Sequence, residues 1–468
     1  VNDNPDRYSE SEVKELVGRF DRMLSDNQQY FYDVDEFEAI IDYYLSNNLL
    51  EKTDLAINYA LRQHPGSNTF LLKKAHFLVS SNKINSALEL LAEVEKLEPD
   101  NPEVFLTKGA IYSQLKRYEK AIEEYNKAVN LAEELDEVYT SIAFEYENLG
   151  NYDKALEYLQ KVLEINPESI PAIYELSYCF ELSGQNARAI EFFTAFLDRH
   201  PYSREAWLNL GVAYNNEGLY EKAIEACDYV LAIDEKFSSA YFNKANSYAN
   251  LEQYHMAIET YRESFRHEEP EAMTYYYIGE CYEKLHELDQ SFMNYKLAAD
   301  LDPALADAWM GMASVMDEKG KTKTAIHYNK KAVKLEPYNP DFWYCLGDLY
   351  YEDNQLTEAK KAYLKVTAID PYDPDIWLDY AHLFFLEGDL DAAMECLDKG
   401  ITHQPDHADL YYRMFVYRYM VKKYAEAYGI LDTALDLDFE ARHEIFLYNP
   451  DLLQDARLVS HIEQHNNA

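Results

Sequence analysis

The chain has 468 residues, with 85 acids against 43 bases and a formal net charge of -42. A surface this acidic repels phosphate backbones and anionic lipid heads, so nucleic acid and membrane surfaces are excluded as expected partners and basic ones are favoured. With 43 Tyr, 21 Phe and 4 Trp against 14 Gly and 15 Pro there is ample material for a buried core, which excludes a disordered chain despite the charge.

Within residues 1–33 lies "SESEVKELVGRFDRML", whose apolar spacing predicts an amphipathic capping helix with Ser9 or Ser11 at its N-cap. From residue 34 a small-residue position returns at Thr53, Ala87, Ala121, Ala155, Ala189, Ala223, Ala257, Ser291, Ala325, Ala359, Ala393 and Ala427, every step being 34 residues. Twelve units therefore fill residues 34–441 without insertion or deletion. Each unit carries two stretches of apolar residues at helical spacing, such as Glu205 to Glu217 and Glu221 to Ile233. Between the two lies Gly218, repeated as Gly150, Gly184, Gly320 and Gly388 and replaced by Asn48, Asn82 and Asn354, at the place where the turn demands a residue tolerant of positive φ. Prolines such as Pro99, Pro167, Pro303 and Pro371 stop the second helix. Counting each unit from its first residue, position 4 is usually aromatic and holds all four tryptophans, Trp207, Trp309, Trp343 and Trp377. Position 8 is small in ten units, which lets paired helices approach closely; Ile41 and Phe415 break the rule in the first and last units, where packing is expected to loosen. After residue 441 the segment Arg442 to His465 predicts one or two short capping helices broken near Asn449-Pro450, followed by a tail to residue 468.

These positions, and "WLNLGVAYNNEGLYEKAIEACDYVLAID" from Trp207 in particular, resemble the tetratricopeptide repeat family, with Cys227 in place of the family's aromatic. The resemblance covers about nine-tenths of the chain. It implies an all-α solenoid, an uninterrupted right-handed superhelix of twelve helix-turn-helix repeats with capping helices and no β-sheet. Its motif residues are structural, and the function it implies is protein binding rather than catalysis.

In the resembling family, positions 2, 5, 6, 9, 12 and 13 of each first helix line a concave groove. Carried onto this sequence they give two stretches. The middle units offer Asn209, Asn215, Asn216, Asn243, Asn246 and Asn250, whose amides both donate and accept and so suit a peptide backbone. The later units offer Tyr276, Tyr277, Glu280, Glu283, Asp307, Asp317, Asp341, Tyr344, Asp348, Tyr351, Glu352, Asp375, Asp379 and Phe385. Acids beside aromatic faces suit Lys and Arg by charge and by cation–π contact. Acids at position 2 also serve the helix dipole, but those at positions 9, 12 and 13 lack that role. The family's clamp for a carboxylate tail needs basic residues where this chain has Leu208, Phe242, Met273 and Tyr277, so that clamp is absent as a set.

Chemical motifs are weak. Gly320-Lys321-Thr322 is similar to the end of a phosphate loop, but Val315 replaces its first glycine and no strand precedes it. His461 and His465 in "HIEQH" have metal-ligand spacing in the wrong order. The five cysteines, Cys179, Cys227, Cys281, Cys345 and Cys396, are odd in number and form no CxxC pair, which fits reduced thiols. No apolar run is long enough to cross a bilayer. The expectation is a non-catalytic, cytoplasmic scaffold without cofactor or metal. It holds a protein or peptide segment of basic character in its groove. The alternative is a regulatory or substrate-recruiting subunit of an enzyme whose catalytic domain is another chain. The first residue, Val1 rather than Met, is compatible with a removed leader, and nothing in the pattern sets an oligomeric state.

Overall fold

In a computed structural model, residues 8–26 and 29–465 are described; Val1, which bears on a removed leader, lies outside them. Among the described residues there are 27 α-helices and two short 3-10 turns, with no strand. The chain divides into two units, residues 1–235 and 236–468, each with its own core.

The first helices of the repeats begin at Val34, Asn68, Pro102, Leu135, Ile170 and Arg204 in the N-terminal unit, and at Ser238, Ala272, Ala306, Pro340, Pro374 and Ala408 in the C-terminal unit. The sequence period is thus the structural period. Within each repeat a short turn sends the second helix back along the first, so consecutive helices pack in pairs. At the central residue of that turn the backbone lies in the left-handed region in all twelve repeats, with φ between +54° and +81°. Glycine and asparagine accept this readily. Lys116, Glu252, His286 and Lys422 do not, yet the turn imposes the same conformation on them.

Two further contacts explain the repeat's aromatics. The indole Nε1 of Trp207, Trp309, Trp343 and Trp377 donates to the carbonyl of Pro201, Pro303, Pro337 and Pro371, at 2.9, 3.1, 2.9 and 2.9 Å. The Tyr411 hydroxyl makes the same bond to Pro405 at 2.9 Å. Each ring therefore ties its own helix to the proline turn that follows the preceding helix. Secondly, Gly109, Gly279 and Gly347 each lie under a second-helix tyrosine, Tyr125, Tyr295 or Tyr363, whose ring occupies the space a Cβ would fill.

The ends are closed by caps. Ser9 and Glu12 form a reciprocal capping box for the helix Glu10–Ser25, which buries Leu16, Val17, Phe20 and Met23. Phe20 meets Phe37 at 6.0 Å and Tyr44 at 6.3 Å. Ile41 and Phe415, the two exceptional residues at position 8, are both fully buried. At the other end Glu440–His443, Glu444–Tyr448, Pro450–Gln454 and Ala456–His465 follow in turn. There His461 Nε2 lies 2.6 Å from Asp432 and His465 Nε2 3.0 Å from Asp436. Both histidines fasten the last helix to Tyr424–Leu437, which accounts for their spacing. Gly320 is the turn glycine and Lys321 the N-cap of Thr322–Leu335, so that motif is structural too.

Candidate functional site

The C-terminal unit places the acidic candidates on its first helices, Ala272–Lys284, Ala306–Glu318, Pro340–Glu352 and Pro374–Leu386. They are not isolated charges. The Tyr276 hydroxyl donates to Glu280 at 2.9 Å, and Glu283 accepts from Tyr295 at 2.6 Å and from Ser314 at 2.6 Å. Asp379 accepts from Tyr344, and Asp348 accepts from Tyr363. Burial, and then the facing carboxylates, raise the pKa of all four phenols, so they act as hydrogen-bond donors. The tyrosines thereby fix one lone pair of each carboxylate and leave the charge in place.

The carboxyls themselves resist ionising. Asp348 is pushed up to about 6, by burial first and then by Asp379 and Asp317, against the lowering effect of the Tyr363 bond. Glu352 is raised by burial and then by the Asp317 carboxyl beside it. Glu280 is raised by burial and, more weakly, by Glu283 and Asp307. Asp317 Oδ1 is buried with no hydrogen-bond partner. Tyr351 is exposed, with its ring edge-on to His382 at 6.2 Å. A group of like charges held together in this way is relieved by a cation.

Between these helices lies a pocket of about 380 Å³, lined by Pro340, Asp341, Tyr344, Cys345, Asp348, Val366, Asp370, Asp373 and Asp375. Its wall thus holds five aspartates and no basic side chain. Asp370 and Asp373 come from the turn before Pro374, and counting positions along the first helix does not reach them. The tandem "DPYDPD" in that turn is the signal in the sequence. Among the described residues no group of three or more His, Cys, Asp or Glu is placed to hold a metal ion. The thiols of Cys179, Cys281, Cys345 and Cys396 are pushed up to about 12, chiefly by burial, which makes them packing groups rather than nucleophiles.

The asparagines divide. In the N-terminal unit Asn209 is buried, and its amide donates to the Glu205 carbonyl at 2.8 Å within its own helix, while Asn215 is half-buried. In the C-terminal unit Asn243 donates to the Ser239 carbonyl at 2.9 Å, Asn246 accepts from Tyr261, and Asn250 is exposed. Of the candidates, Asp341, Tyr344, Asp348 and Asp375 thus line this one pocket and Glu280, Asp317, Glu352 and Asp379 do not, while Asn209 and Asn243 bond carbonyls of their own helices and Asn246 bonds a tyrosine of the next.

Paired helices at a fixed 34-residue step, with side chains of successive first helices sharing pockets, define a helical-repeat protein. The chain belongs to the tetratricopeptide repeat family: profiles described as tetratricopeptide repeat match residues 78–141, 137–169, 183–236, 328–361 and 355–416. A profile described as anaphase-promoting complex, cyclosome, subunit 3 matches residues 216–297. Among solved structures, the chain is similar to the APC/C hetero-tetramer Cut9-Hcn1, at 16% identity over 85% of this chain and 91% of that one, with a TM-score of 0.41. It is also similar to YrrB, a TPR protein with an unusual peptide-binding site, at 19% identity over 38% and 92%, with a TM-score of 0.32. The C-terminal part of a TPR repeat-containing protein from Cytophaga hutchinsonii aligns at 18% identity over 54% and 98%, with a TM-score of 0.43. No curated protein matches the sequence.

Proposed function

We propose that this protein is a non-catalytic interaction scaffold that holds a basic segment of another protein against the first helices of its later repeats. One observation carries the reading: the pocket around Asp348 gathers five aspartates with no basic side chain to neutralise them. A lysine or arginine side chain entering there would meet carboxylates held by tyrosine hydroxyls and the face of Tyr344, and would lower the raised pKa of Asp348. Tyr276, Glu280, Asp317, Tyr351, Glu352 and Asp379 extend the same surface along neighbouring repeats. A second reading, a recruiting subunit of an enzyme assembly, is favoured by the match to the anaphase-promoting complex, cyclosome, subunit 3 profile over residues 216–297. It uses the same surface and differs only in what the bound segment is delivered to.

The test is a fluorescence anisotropy titration with a labelled decapeptide rich in Lys and Arg. Asp348→Lys with Glu352→Lys is expected to weaken binding at least about tenfold, the scale of losing charge-assisted bonds. Glu119→Lys with Glu123→Lys makes the same charge change at exposed positions on a second helix and is expected to leave binding nearly unaltered. Equal effects from the two pairs would reduce the acid to solubilising charge.

A further inference from the structure

The N-terminal unit contains a second cavity, of about 530 Å³, between the first helices of the third, fourth and fifth repeats. Ser113, Phe144, Glu145, Glu147 and Glu175 are among its lining residues, and no lysine or arginine is. Glu145 is the unusual member. Its side chain is 1% exposed, and its Oε2 has no hydrogen-bond partner. The chain's own repeats supply the comparison. At the corresponding place, position 10, the other units carry Tyr43, Phe77, Ile111, Cys179, Ala213, Ser247, Cys281, Val315, Leu349, Leu383 and Tyr417. Glu145 is thus the one ionisable carboxyl at a position otherwise filled by uncharged, mostly apolar side chains. An unpaired buried carboxylate is costly and adds nothing to packing.

Its surroundings supply no compensating charge. The Glu145 carboxyl is raised by burial, eased only by the Ser113 hydroxyl. Glu147, half-buried at the same cavity, is raised by burial and then by Glu175 beside it. Three carboxyls therefore border one cavity and share no cation. The ring of Phe144 is 54% exposed at its wall, and Tyr174 and Tyr178 on the next first helix are 40% and 48% exposed. Aromatic surface left in water beside a desolvated acid is the composition of a binding site rather than of a solvated helix face.

We propose that this cavity binds the protonated side chain of a lysine or arginine from a partner protein segment, with Glu147 and Glu175 contacting the head group, Glu145 supplying fixed negative charge from the floor, and Phe144 covering the aliphatic stem. The site is argued independently of the pocket around Asp348, and neither needs the other.

The probe is a labelled decapeptide with one central lysine flanked by leucines, set against the same peptide with norleucine, which keeps the stem and removes the charge. Both are titrated against the full chain up to about 1 mM. The lysine peptide is expected to bind at least about tenfold more tightly. Glu147→Gln with Glu175→Gln should abolish that difference with the circular dichroism spectrum unchanged, and Asp348→Asn should preserve it. Glu145→Gln should weaken the lysine peptide and leave the melting temperature equal or higher, because it removes a buried carboxyl that the empty protein leaves without a partner. Equal binding of the two peptides, no binding of either, or a lysine preference surviving in the Glu147/Glu175 double variant overturns the site. A preference lost only in Asp348→Asn does so too, while leaving the later pocket standing. A lower melting temperature for Glu145→Gln would make that residue a structural acid.

Discussion

Gly211→Ala and Gly347→Ala are the same change at the same place in two repeats, yet their effects on stability are expected to have opposite signs. At Gly347 a Cβ would lie 2.3 Å and 2.4 Å from the Cε1 and Cδ1 atoms of Tyr363. The ring is 2% exposed, and its hydroxyl is fixed on Asp348, so it has nowhere to retreat. Overpacking of this kind costs about 1–3 kcal/mol. The helix propensity of alanine returns about 1 kcal/mol, which leaves a net loss of up to about 2 kcal/mol. At Gly211 the facing residue is Cys227, and the nearest atoms to a Cβ stand at 3.5 Å, an ordinary contact. With no clash to offset it, alanine should stabilise that repeat by about 0.5–1 kcal/mol. Repeats open as local units, so the assay is native-state hydrogen exchange over Arg204–Asn216 and Pro340–Glu352 in each variant. Protection should rise in the first helix and fall in the second. A shift of the same sign at both places would refute the idea that the position-8 glycine is required only where a tyrosine faces it.

Three other outcomes follow from particular atoms. Ser291 occupies the repeat's alanine position, fully buried with an unpartnered Oγ, so Ser291→Ala should stabilise by about 1 kcal/mol in local exchange. Lys422 holds φ +64° at its turn, where Lys422→Gly should gain about 1 kcal/mol and the same change at a residue of ordinary φ should lose stability. Asp348, raised to about 6 in the fold, prefers its protonated form there, so its contribution to stability declines as pH rises from about 4 to about 6 and is flat above. Asp348→Asn should remove that slope in pH-dependent melting, while binding of a cationic peptide to the unaltered protein should tighten over the same interval.

Much of this fold could be read in advance because a stack of identical hairpins writes each structural need at one place per period. The turn needs positive φ, so Gly218 and Asn354 announce it; the helix end needs a stop, so Pro303 and Pro371 announce that. The site was less legible, because groove positions name where a side chain starts and not what it meets. Asn209 stands at such a position but turns inward to its own helix carbonyl. The bonds of Tyr363 to Asp348 and of Tyr344 to Asp379 join different helices, and no spacing along one helix reports them. Asp370 and Asp373 enter the pocket from a turn, outside the helical count altogether.

The central claim, that charge selects a basic segment for the later repeats, is tested most directly by the affinity of one peptide pair across a salt series. The pair is a Lys- and Arg-rich decapeptide and a counterpart with Glu in place of each basic residue. The basic peptide is expected to bind, more weakly as salt shortens the screening length below the roughly 8 Å of physiological ionic strength, and the acidic one not at all. An affinity independent of salt, or preference for the acidic peptide, would contradict the account.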